Sequence, residues 1–204
     1  MKKTMPYNEA RKYMTNFSAI NCKHRSLFWG LVGHTACIVN RDDQIDCYES
    51  TSLNKWSGRS GVQKHPMSTW LKHYNGKVWL REFWYEEEAA AEAFDKQFME
   101  ALKGRSYPLI SGWDGKWKLI ASAVDFHLFG RDVFTYQGED TGVFCTQLYV
   151  ARLAYCGFIK GIEAGDLEIA LEFAKEWEPD DIRDGKLDKE LVNTCGLVSE
   201  IRIK

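Results

Sequence analysis

Residues 33–50, GHTACIVNRDDQIDCYES, constrain the fold more than any other stretch. Two runs of strand-like composition flank Asn40-Arg41-Asp42-Asp43, a turn-forming cluster suited to a four-residue hairpin loop. With Asn40–Asp43 as the loop, Val39 is expected to pair with Gln44, and counting outward sets Ile38 opposite Ile45, Ala36 opposite Cys47 and His34 opposite Glu49. His34 and Glu49 then share a face. Directly opposed residues on an antiparallel ladder have Cβ atoms about 4.5–5.5 Å apart, near enough for a carboxylate to orient an imidazole. The inference depends on register, because a slip of one residue sends the two side chains to opposite faces.

Further along, KVWLREFWY (residues 77–85) reads as another, well-covered strand. A helix is expected from Glu86 to Lys103: glutamates open it, Phe94, Phe98 and Leu102 recur at i, i+4, i+8, and Gly104 closes it. Residues 105–143 are rich in Gly and aromatics without a single period, and read as an irregular insertion with a short apolar run around Leu119 to Phe129. A second helix is expected over Cys145–Tyr155, with Gly157 where a left-handed residue would end it, and a third near Asp166–Trp177. EPDDIRDGK (178–186) reads as a loop, and LVNTCGLVSEIRIK as one or two terminal strands. No repeat or linker interrupts this order. It predicts an α+β fold in one domain spanning residues 1–204.

Composition narrows the function classes. The 27 basic and 29 acidic residues are interspersed, for a formal charge of −2, which leaves no electrostatic footprint for nucleic acid or an anionic membrane. No run of 18 apolar residues exists, and Asn8, Glu9 and Arg11 interrupt the N-terminus before a signal-peptide core could form. A protein acting in solution is expected, in the cytoplasm or carried by another route such as a phage particle. In that setting the six cysteines are expected to be reduced. No CxxC occurs, and Cys22 with His24 at i, i+2 lacks a second pair, so neither a metal nor a cofactor is expected.

Cys145 opens its helix, and that position carries chemical weight. The first helical turn presents unpaired N–H groups and about half a positive charge, both of which favour a thiolate over a thiol. An imidazole nearby lowers the thiol pKa further and makes a nucleophile whose conjugate acid can protonate a leaving group. His34 with Glu49 beside it would supply that imidazole and its orienting acceptor, completing a Cys–His–Glu constellation from two distant regions. The competing reading is that Cys145, between Phe144 and Leu148, is one more buried thiol in a core.

The order GHTACIV, then a strand ending in YES, and much later FCTQLYVARLAYCGF resembles the circularly permuted branch of the NlpC/P60 papain-like families, with the lecithin:retinol acyltransferase-like and YiiX/YebB-like proteins. The resemblance covers roughly residues 25–160. It implies a permuted papain-like fold, an antiparallel sheet or small barrel packed against helices, with a C-terminal helix-strand extension beyond the core. By the same resemblance His34 matches the family histidine, Cys145 the nucleophile and Glu49 the third polar residue. GVQKHPMSTWL before KVWLREF resembles the segment leading to the next barrel strand, and LKGRSYP resembles a Gly–x–x–Tyr turn, which makes Tyr107, with Thr146, a candidate substrate contact. Thr146-Gln147 departs from the commoner Ser/Thr-Glu at the helix start, and residues 112–136 have no counterpart.

Three functions are consistent with these residues. The first is a thiol hydrolase acting on an amide or ester in a small molecule, peptide or lipid amide. The second is an acyltransferase with the same nucleophile, although no amphipathic membrane helix accompanies it. The third is a non-catalytic binding or assembly module that meets a protein partner through its abundant aromatics.

Overall fold

Alternation along residues 34–39 sends His34, Ala36 and Ile38 to one side of a strand and Thr35, Cys37 and Val39 to the other, and both sides are apolar enough to be covered. The computed structural model, which describes residues 4–25, 33–41, 44–54, 59–86, 88–105, 143–198 and 200–204, shows that both sides are. Its strands are β1 Ala19–His24, β2 His34–Arg41, β3 Gln44–Asn54, β4 Arg59–Pro66, β5 Gly76–Arg81, β6 Phe83–Tyr85, β7 Cys195–Leu197 and β8 Ile201–Arg202. Its α-helices are α1 Tyr7–Ala10, α2 Met67–His73, α3 Glu88–Ala101, α4 Cys145–Tyr155, α5 Leu167–Ala174 and α6 Pro179–Arg183. Six strands form an antiparallel sheet in the order β4-β3-β2-β1-β5-β8, and β6 pairs separately with β7.

One face of the sheet holds Ile20, Cys22, Ala36, Ile38 and Cys47 against Trp70, Met67 and Leu71 of α2. The other holds Cys37, Val39 and Tyr48 against Phe98 of α3 and the almost wholly buried α4, whose outer side is covered by Ala170 and Ala174 of α5. The result is a mixed α/β architecture with an antiparallel sheet packed against helices.

Several expectations are corrected. The β2–β3 ladder runs to Arg41↔Gln44, so the connection is two residues, and the register is Ile38↔Cys47 and Cys37↔Tyr48 rather than Ile38↔Ile45. Asn40 is recruited elsewhere: its Nδ2 donates to Met14 O (2.8 Å) and its N–H to Asn16 Oδ1 (3.2 Å), which keeps it in the strand and leaves the shorter loop that sheet twist favours. Residues 77–85 form two strands rather than one, because after Arg81 the chain leaves the large sheet to pair β6 with β7. Residues 178–186 contain a helix, with Pro179 at its first turn and Asp181 Oδ2 accepting the Glu178 N–H at 3.1 Å, a cap that reading the segment as a loop overlooked. Helix α3 is two residues shorter at each end than expected. The proposed insertion at 105–143, including its 119–129 run, falls almost entirely outside the described residues.

A buried ion network pins α4 in place. Arg152, fully buried, donates from Nε and Nη2 to both carboxylate oxygens of buried Asp95 (2.6 and 2.8 Å), from Nη1 to Ile38 O (2.8 Å) and from Nη2 to Asn16 Oδ1 (3.1 Å). Arg41 donates to the same Asp95 at 2.5 Å. Helix α4 is thereby tied to α3 and to the middle of β2, with every charge paired as burial demands.

Candidate active site

Helix α4 begins abruptly because three interactions hold its entry. Phe144 is extended (φ −71°, ψ 163°), and its N–H is capped by Gln147 Oε1 at 3.1 Å, so the glutamine that departs from Ser/Thr-Glu still serves as a cap. Ser50 Oγ, one residue after Glu49 on β3, donates to Val143 O just ahead of the helix. Thr146 Oγ1 donates to Thr35 Oγ1 at 3.4 Å, fastening the first turn to the start of β2. Cys145 thus occupies the first helical position against the beginning of the histidine strand.

His34 opens β2 directly across from Cys22 of β1. Its Nε2 lies 2.8 Å from Glu49 Oε2, with side-chain exposures of 19% and 3%. His34 and Cys145 lie near enough for the charge of each to act on the other, and the backbone of Thr35 lies beside the same sulfur. Thr146 Oγ1 is 3.9 Å from Cys145 Sγ. The structure therefore brings Cys145, His34 and Glu49 into one neighbourhood, with His34 in contact with Glu49 and electrostatically coupled to Cys145.

Electrostatics divide the cysteines. Burial pushes the Cys145 thiol up, but the imidazolium charge and hydrogen bond of His34, with those of Thr35 and Thr146, more than offset it and leave the thiol below its ordinary value of 9.0. The coupling is reciprocal: burial disfavours a charged His34, yet the thiolate's charge and hydrogen bond, followed by Glu49, raise it from 6.5 to about 10. All six cysteines are free, and the other five are raised, chiefly by burial.

Of the remaining sequence candidates, Thr146 is 2% exposed, with its hydroxyl directed at Thr35 and at the sulfur. Tyr107 lies outside the described residues. Sequence reasoning missed Cys22 and Tyr74, which lie within electrostatic reach of each other and of Glu49 and Cys145. The pairing of Cys22 with His34 depends on the β1–β2 register, for which no local turn signal exists. Among the described residues no group of three or more His, Cys, Asp or Glu is arranged to hold a metal ion.

No protein-family model and no curated protein matches the chain. Among solved structures it is similar to the crystal structure of metalloprotein yiiX from Escherichia coli O157:H7, at 16% identity and a TM-score of 0.41, over 91% of this chain and 97% of that one.

Proposed function

We propose that this chain is a thiol hydrolase of permuted papain-like architecture that cleaves an amide or ester through Cys145, His34 and Glu49. The observation that carries the reading is the 2.8 Å contact of His34 with Glu49 beside Cys145, where one thiol of six is lowered and its imidazole is raised. A thiolate–imidazolium pair at a helix N-terminus is a nucleophile and a general acid already in their reactive protonation states.

The reaction divides into two halves. The Cys145 sulfur attacks the carbonyl carbon, and negative charge develops on the carbonyl oxygen beside the Cys145 backbone N–H, one of the unpaired donors of the first helical turn. His34 gives its proton to the leaving amine or alcohol as the carbon–heteroatom bond breaks, leaving a thioester on Cys145. The neutral imidazole then takes a proton from water, whose oxygen attacks the thioester carbonyl, and the acid departs with the thiolate and imidazolium restored. With Nε2 engaged by Glu49, Nδ1 is the nitrogen left to face the sulfur, and the carboxylate holds the ring in that orientation. Thr146 steadies the sulfur, its Oγ1 3.9 Å from Cys145 Sγ.

The test is the alkylation rate of each cysteine in the native protein against pH, located by mass spectrometry, in the wild type and in His34→Ala. Selective labelling of Cys145 well below pH 9.0 that disappears without His34 supports the reading. A Cys145 as inert as the other five thiols overturns it.

A further inference from the structure

Strands β1 and β5 carry an aromatic group to the end of the sheet where His34 lies. Cys22 is paired with His34 on one side and with Val78 on the other, and His24, two residues on, is paired with Gly76. Residues 22 and 24 share a face, so the His24–Gly76 pair sits one side-chain row, about 7 Å, beyond the row that holds His34. The ring of Tyr74, the residue that ends α2, covers that row. It meets the His24 ring at 6.3 Å between centroids and 86° between planes, and a Cβ added at Gly76 would come within 2.9 Å of Tyr74 Cε1.

The ring is held in place. It stacks on buried Trp70 (4.8 Å, 16° between planes), and Lys204 Nζ donates to the carbonyls of Leu71 and Tyr74 at 2.6 and 2.5 Å, closing the end of α2. Tyr74 is nonetheless partly exposed, as is His34. Burial, and then the charges of Cys22, Glu49 and Cys145, hold the Tyr74 phenol above its ordinary value of 10.0, which keeps the hydroxyl a neutral donor.

Helix α2 covers one face of the sheet and α4 the other. Cys145 therefore reaches the His34 end from one face and Tyr74 from the opposite one, with the imidazole between them. In the hydrolase reading, on which the role of Tyr74 rests, His34 hands its proton to the leaving amine or alcohol, so the leaving group extends past the imidazole toward the Tyr74 side.

We infer that Tyr74 is a specificity residue of the leaving-group side, its hydroxyl donating to an acceptor oxygen that the leaving group carries close to the scissile bond. Leaving groups with a carbonyl beside the departing nitrogen or oxygen are thereby favoured over plain hydrocarbon ones.

Acyl transfer to added amines reads this side by itself. p-Nitrophenyl acetate acetylates Cys145 and releases p-nitrophenol, and an amine then competes with water for the thioester. The amine nitrogen bonds to the acetyl carbon, its proton goes to His34 and the sulfur leaves as thiolate. Glycinamide carries a carbonyl beside its amine, and propargylamine, of similar basicity, does not. After subtraction of the reaction with Cys145→Ala protein, the N-acetyl products should favour glycinamide by about fivefold in the wild type and lose that preference in Tyr74→Phe, which keeps the ring and its stack. Loosened packing alone would slow both amines alike. Equal transfer to the two amines in the wild type, which needs no variant to fold, or a preference that survives in Tyr74→Phe, overturns the assignment. Absence of a Cys145-dependent p-nitrophenol burst overturns the hydrolase reading instead, and the role of Tyr74 with it.

Discussion

His34 and Glu49 meet on a diagonal of the β2–β3 ladder: its register sets Glu49 across from Ala36, yet His34 Nε2 and Glu49 Oε2 are 2.8 Å apart. A diagonal separation of about 7–8 Å between backbones is spanned by two long side chains leaning toward each other. The carboxylate thereby fixes one edge of the imidazole, at Nε2.

That orientation predicts the consequence of removing the carboxylate's charge. Glu49→Gln keeps the shape but not the charge, and we expect turnover to fall by roughly 100-fold, with a smaller loss of Cys145 alkylation at neutral pH. Glu49→Ala, which also frees the ring to rotate, should lower both further. Steady-state rates beside iodoacetamide labelling separate the two effects.

The pH profile follows from the two shifts. Hydrolysis should rise as Cys145 ionises, below its ordinary 9.0, and fall as His34 loses its proton near 10. His34→Ala should remove turnover and move thiol ionisation upward, cutting alkylation at pH 6.5 by at least about tenfold. Rate measurements from pH 5 to 11 check both limbs.

Gly33 precedes His34 in a place with no room for a side chain: a Cβ there would come within 2.7 Å of Pro179 Cβ on α6. The proline ring cannot swing aside. Gly33→Ala should therefore displace the start of β2, lowering stability by about 1–3 kcal/mol and activity more than a core substitution of equal cost elsewhere. Urea denaturation paired with Cys145 labelling distinguishes the two losses.

Asp95→Ala should destabilise the fold by about 3–5 kcal/mol, because Arg152 is left charged and unpaired inside it. Burial pushes the Asp95 carboxyl up, but Arg152 and then Arg41 outweigh it and hold it below 3.8. Its contribution is therefore present above pH 3.8 and is lost as pH falls through the lowered folded value. Urea midpoints of wild type and Asp95→Asn from pH 2 to 7 should converge at the acid end.

Ser50→Ala is expected to loosen the entry to α4, since it removes the donor to Val143 O. Stability should fall by about 1 kcal/mol, while the pH at which Cys145 is half-ionised rises toward 9.0. A purely structural hydroxyl would change the first quantity and not the second.

Local signals were legible where one segment settles its own structure. Alternation in GHTACIV and QIDCYES marked the two strands, and the residue preferences around Cys145 and Gly157 marked the ends of α4, whose Gly157 adopts φ +81°. The register was misread by two residues because Asn40 looks like a turn residue but is held by Met14 and Asn16, which no local pattern reveals. An even shift preserves side-chain parity, so His34 and Glu49 kept a common face. The hidden helix α6 has a related cause, since Pro and Asp favour both loops and helix starts.

What the sequence by itself determined was the set of parts: an antiparallel hairpin carrying a histidine and a glutamate, and a cysteine at the head of an apolar helix. Only the tertiary structure decided how they meet, through Arg152 on Asp95, Ser50 on Val143 and Thr146 on Thr35, contacts between residues 57, 93 and 111 positions apart. The physical reason is that periodicity and capping act within a few residues. The distance from a thiol to an imidazole more than a hundred residues away is set by packing and by the need to pair every buried charge.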